Sequence, residues 1–146
     1  MARSAHTDTF AADNLPPREL WPDFINLEKL GYPERMNCAA ELVDRNVAQG
    51  RGDKLALVSP TERWTYAELA EKVNRIANVL VADFGLQPGH RVLLRFPNTP
   101  MMTAVYFAIL KAGGIVVATM PLLRAKELAV IVDKSELSLA VCDHRL

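Results

Sequence analysis

Cysteine and histidine are scarce in this 146-residue chain, with two copies of the first and three of the second. Cys38 and Cys142 lie far apart and form no CxxC pair, which suits free, mostly buried thiols in a reducing cytoplasm. Charge of one sign is lacking too. Lys+Arg and Asp+Glu balance at 17 each, so neither nucleic acid nor an anionic membrane surface is an expected partner. The longest apolar region, 104–123, is interrupted by Lys111, Gly113, Gly114 and Pro121 and falls short of a spanning helix. The first residues have no signal-peptide core and already carry Asp8 and Asp13. A soluble, cytoplasmic protein is expected. A phosphate loop is missing as well: GxxxxGK followed by Ser or Thr does not occur. GRGDKL at 50–55 begins like GxGxxG but ends in leucine and follows no strand.

What is present is enough apolar material for one core. Half of the residues are hydrophobic and 23% are charged, a balance typical of one ordinary globular domain. Residues 1–35 read differently from the rest. Pro16, Pro17, Pro22 and Pro33 break any long helix there, while Leu15, Leu20, Trp21, Phe24 and Tyr32 argue for an extension pinned to the surface of a larger body. Asn37 is a candidate N-cap for a helix through CAAELVDRNVAQ, with Ala39, Val43 and Val47 on one face and Gly50 at its end. LALVS (55–59) reads as a strand. In WTYAELAEKVNRIANVLVADFG, Thr65 and Glu68 have capping-box spacing, and Leu69, Val73, Ile76, Ala77 and Leu80 make one apolar stripe that closes near Gly85.

A repeat of strand and helix follows. RVLLRF (91–96) is a strand covered on both faces. Thr99 and Pro100 open an apolar helix, MMTAVYFAILKA, expected to be deeply buried. IVVAT (115–119) is a strand, RAKELAVIVDK (124–134) a helix and LSLAVCD (137–143) a strand again. This alternation implies βαβ units and a mostly parallel sheet.

The glycine pair in LKAGGIVVATMPLL invites a phosphate-binding reading, but the order is wrong. A phosphate loop runs from strand through glycines into a helix, so that free N–H groups face the anion. Here the glycines leave a helix and enter a strand. Gly113 is therefore read as a left-handed C-cap, with Lys111 complementing the negative end of the dipole. Cys142, Asp143 and His144 sit at a strand end, where ligands bind in doubly wound sheets, yet no partners for a metal or nucleophile site are found. A buried cysteine followed by an exposed turn accounts for them. Asn98 and Thr99 lie on the same edge, and the helix cap accounts for Thr99. Met101, Met102, Tyr106 and Phe107 are read as core rather than an aromatic pocket. His6, His90 and His144 are the only histidines. No catalytic, cofactor-binding or metal residue is assigned in this segment.

Two stretches resemble a known family. RWTYAELAEKVNRIANVL is similar to the first core motif of the adenylate-forming acyl- and aryl-CoA ligases, and LKAGGIVVATMPLL to their second, at matching spacing. LPPRELWPDF, YPERMNCAAELVDR and PLLRAKELAVIVDKSELSLAVCDHRL resemble the benzoate and 2-aminobenzoate CoA ligase branch. Met120-Pro121 and Arg124 depart from the wider family, which carries Asn-Pro and a threonine cap there. The resemblance implies the first α/β portion (36–146) of a large AMP-binding N-terminal domain, truncated at its C-terminal end and inactive alone. It implies ATP, Mg²⁺ and CoA as reactants and cofactors of the parent enzyme, an aromatic carboxylate as substrate, and an acyl-adenylate intermediate. All of the family's phosphate, ribose and catalytic groups lie further along than the matched region. The open edge of the last strand makes a homo-oligomer an expectation. A self-contained flavodoxin-like module is the alternative on periodicity alone.

Overall fold

The computed structural model describes residues 4–33, 35–137 and 139–146; Met1–Arg3, Glu34 and Ser138, which fall in the expected extension and last strand, lie outside the described residues. In chain order come a short helix α1 (Phe10–Asp13), a helical segment over 38–51, strands β1 (Leu55–Val58) and β2 (Arg63–Thr65), and helix α2 (Tyr66–Ala82). They are followed by β3 (Arg91–Arg95), α3 (Pro100–Lys111), β4 (Ile115–Thr119), α4 (Ala125–Ser135) and β5 (Leu139–Cys142).

The last three strands form a parallel sheet in the order β4-β3-β5. Successive residues of a strand face opposite ways, so the buried run Val92, Leu93, Leu94 must be covered on both sides. The connection β3-α3-β4 steps one strand one way, and β4-α4-β5 steps two strands back. Right-handed crossovers therefore put α3 and α4 on opposite faces. Val92 and Leu94 join Val43, Leu69, Val73, Leu80, Ala104, Val105, Ala108 and Ile109 in the main core, with Val116, Leu139 and Val141 packed against it. Leu93 is buried on the other face.

Helix α2 follows its sequence signals closely. The Thr65 hydroxyl accepts from the Glu68 N–H, and the Glu68 carboxylate accepts from the Thr65 N–H at 2.7 Å. That backbone donor, with the Thr65 hydroxyl, holds the Glu68 carboxyl below its ordinary pKa. Leu69, Ala70, Val73, Ala77 and Leu80 are buried on the face that meets α3. The segment over 38–51 buries Ala39 and Val43 as expected, although part of it is wound with the wider i→i+5 hydrogen bonding, and Gly50 turns left-handed with φ of 73°.

The polypeptide differs from the sequence reading in four places. The strand at 55–58 pairs antiparallel with β2, a three-residue strand that the sequence reading absorbed into the helix start. The turn is set by Ser59, whose hydroxyl accepts from the Glu62 N–H at 2.9 Å. Both cysteines are exposed rather than buried. In β5 the inward residues are Leu139 and Val141, so Ala140 and Cys142 point to a face of this edge strand that stays open. Helix α3 is not buried all round: Met101 and Tyr106 are exposed while Met102 and Phe107 pack on the core. In the extension, Leu15, Leu20, Phe24 and Tyr32 are exposed, and Trp21 gathers Arg18, Phe24 and the Pro16 carbonyl around itself.

Asn37 is the N-cap expected, and it does a second job. Its side-chain oxygen accepts from the Ala39 and Ala40 N–H groups at 3.0 and 3.2 Å, while its amide nitrogen donates to the Leu110 and Lys111 carbonyls at 3.0 and 3.2 Å. One side chain thus satisfies the start of one helix and the end of α3. Asn37→Asp keeps a good N-cap but sets a carboxylate against the negative end of α3. We expect it to lower stability by about 1 kcal/mol or more, and Asn37→Ser by less, read from urea midpoints. An aspartate variant as stable as the parent would remove the second role.

Candidate functional site at the carboxyl edge of the sheet

In open α/β sheets, ligands bind beyond the carboxyl ends of the strands, where neighbouring connections leave for opposite faces. Here that point lies between β3 and β4, because α3 and α4 cover different faces. The crevice is bridged by Arg95 of β3. Its Nη2 donates to the Pro121 carbonyl at 2.8 Å and to the Leu123 carbonyl at 3.1 Å, and its Nε is buried with no partner among the described residues. The Thr119 hydroxyl donates to the Leu94 carbonyl at 3.4 Å.

The other groups of this edge are also committed. Thr99 accepts from the Met102 N–H at 3.2 Å, and Pro100 follows it at the first helical position. Asn98 and Thr99 line, with Ser59, Thr103 and Met102, a shallow depression of about 240 Å³ between the hairpin and α3. The Asp143 carboxylate accepts from Arg145 through Nε at 2.7 Å, Nη2 at 2.8 Å and the backbone N–H at 3.0 Å. These bonds hold its carboxyl well below the usual carboxylate range. His144 is exposed, with Nδ1 3.7 Å from the same carboxylate. Cys142 therefore ends β5 and Asp143 and His144 open a turn, and among the described residues no group of three His, Cys, Asp or Glu side chains is placed to hold a metal. Arg124 caps α4 with its backbone alone, its N–H donating to Glu127 at 3.0 Å.

At the opposite end of the sheet, the glycine pair closes α3. Gly113 has φ of 83°. Its N–H reaches the Leu110 carbonyl at 3.0 Å, and the Gly114 N–H reaches that of Ile109 at 2.8 Å. This double bond pattern is the Schellman helix end. Lys111 pairs with Asp44 at 2.7 Å, so the lysine beside the glycines has a partner already. An open depression of about 850 Å³ lies here, lined by His6, Asn37, Cys38, Tyr106, Leu110 and Gly113 among others. It faces the carbonyl end of α3, which disfavours anions. His90 accepts from the Gln87 N–H at 3.3 Å through Nδ1.

Arg91 and Arg95 were not singled out from the sequence. Arg91 donates through Nε to the Ser135 carbonyl at 2.8 Å and through Nη2 to that of Glu136 at 3.1 Å, at the far end of α4. The two arginines thus hold α4 to the sheet at both its ends. The signal available was their spacing: positions i and i+4 of a strand share a face, and two charges there need buried acceptors.

A profile described as AMP-binding enzyme matches residues 43–146. Benzoate–CoA ligase of Thauera aromatica is 32% identical over 114 residues, which cover 78% of this chain and 22% of that protein. Among solved structures, a benzoate CoA ligase from Burkholderia xenovorans LB400 superposes with a TM-score of 0.69 at 27% identity, over 76% of this chain and 22% of the other. An anthranilate CoA ligase in complex with anthranoyl-AMP superposes with a TM-score of 0.73 at 24% identity, over 80% of this chain and 22% of the other, and so shares the fold. The chain spans about 22% of the length of these relatives.

Proposed function

The chain belongs to the AMP-binding enzyme family, and from that premise we propose that it is the opening α/β portion of an ATP-dependent CoA ligase for an aromatic carboxylate of the benzoate or 2-aminobenzoate type. The observation that carries the proposal is that the two family-like stretches fall on one continuous unit. The first is β2 with α2, the second is α3 with β4, and α2 packs on α3. The reaction joins ATP and the carboxylate to give an acyl-adenylate and pyrophosphate; the CoA thiol then attacks the acyl carbon and AMP leaves.

This segment supplies scaffold to that chemistry. At its carboxyl edge, the Thr99 hydroxyl, the Asp143 carboxylate and the Arg95 Nη2 are held by partners within the chain. They do not fit a Mg²⁺–nucleotide site, and no step is derived through them. The phosphate-binding, ribose-binding and carboxylate-facing groups are assigned to the remainder of the ligase. A flavodoxin-like module is disfavoured because it needs 55–59 inside the parallel sheet, and β1 pairs with β2 instead.

The test is ATP–pyrophosphate exchange with benzoate and with 2-aminobenzoate. We expect exchange from the longer polypeptide that contains this segment and none from residues 1–146 alone. Acid-stimulated exchange by the isolated chain would overturn the scaffold assignment. A longer polypeptide inert with every aromatic acid would overturn the substrate class.

A further inference from the structure

Near the amino ends of the parallel strands, the chain crosses itself. The N–H groups of Thr7 and Asp8 both donate to the Pro88 carbonyl at 3.0 Å, and the Thr7 hydroxyl donates to the same oxygen at 3.0 Å. Gly89 has φ of 95°, and a Cβ there would fall on the carbonyl oxygen of Asp8. Only glycine admits so close an approach. The Asp8 carboxylate accepts from the Phe10 N–H at 2.9 Å and pairs with Arg91. The Phe10 ring lies over the same guanidinium, 4.5 Å from its carbon.

Arg91 is 8% exposed, and its remaining donors go to Gly89, Ser135 and Glu136. Glu136 is itself in a left-handed conformation, φ 47°, as it turns α4 toward β5. A single guanidinium therefore joins the arm to the α4–β5 junction. Beyond the arm the chain has little hold: Leu20 is 70% exposed and Ile25 78%. The seat is small, specific and followed by a loosely held tether.

We infer that residues 6–10 form a detachable strap: seated on Pro88, Gly89 and Arg91 it fixes the α4–β5 junction, and released it lets that end of the sheet open. The rest of the core, centred on α2 and α3, does not depend on it.

Amide hydrogen exchange on the whole chain tests this. In the variant carrying both Asp8→Ala and Phe10→Ala, amides over 135–142 are expected to exchange about tenfold faster, the loss of one charge-assisted bond and one ring contact. Amides of α2 should keep their protection. A free peptide with the sequence of residues 4–14, added to that variant, should restore protection over 135–142 in a saturable way, and a scrambled peptide should not. Unchanged exchange over 135–142 would overturn the strap. So would a loss of protection that spreads to α2, which would make the arm part of the core, or a peptide without effect, which would make it inseparable.

Discussion

Arg91→Met lowers the unfolding free energy by about 3 kcal/mol, the upper part of the range for leaving buried acceptors without their donor. The methionine keeps most of the apolar stem but leaves Asp8 and the carbonyls of Gly89, Ser135 and Glu136 without their donor. Arg91→Lys keeps the charge yet cannot fork toward four acceptors. It should cost less, about 1–2 kcal/mol. Urea unfolding of the three proteins, followed by tryptophan fluorescence, decides the matter. A methionine variant within about 1 kcal/mol of the parent would mean that these acceptors are satisfied by water and that Arg91 is not the link between arm and junction.

The second large effect concerns the corner where α3 meets β4. Ile109 is fully buried, and a Cβ on Gly114 would stand 2.9 Å from its Cγ2 and 3.2 Å from its carbonyl oxygen. Ile109→Ala should cost about 2–5 kcal/mol through lost burial and the cavity left behind. Gly114→Ala should cost about 1–3 kcal/mol by overpacking. The double variant should cost less than the two added together, because removing the isoleucine branch relieves the side-chain clash and the alanine fills part of the cavity. A coupling of about 0.5–3 kcal/mol is expected for residues in contact. Strict additivity in equilibrium unfolding would mean that the backbone clash with the Ile109 carbonyl, not the side chain, requires glycine at 114.

These two corners show what a sequence discloses. Gly113, Thr65, Glu68, Thr99 and Pro100 were legible because caps are local: each needs partners within a few residues, and the spacing names them. The alternation from 91 to 143 disclosed the parallel sheet for the same reason, since each element has its own period. Arg91 was not legible, because its acceptors are backbone carbonyls 44 and 45 residues away, and a carbonyl has no letter in the sequence. Asn37 was half legible: its acceptor side serves the next turn, while its donor side reaches Leu110. The three-residue strand β2 gave too few positions for a period of two to show. The cysteine environments were misjudged because Cys142 alternates with core residues on an edge strand, and burial there depends on what covers the far face.

The arm also has a place in time. Asp8 is made well before its partner, since its contact with Arg91 spans 83 positions. The carbonyls of Ser135 and Glu136, which complete the coordination of that guanidinium, follow Arg91 by a further 44 and 45 residues. At synthesis rates of about 5–20 residues per second, the strap waits on the order of ten seconds for its seat to be finished. Throughout that interval Phe10 and the exposed leucines behind it are free for whatever binds nascent apolar segments, so residues translated before their seat are secured only once α4 is complete.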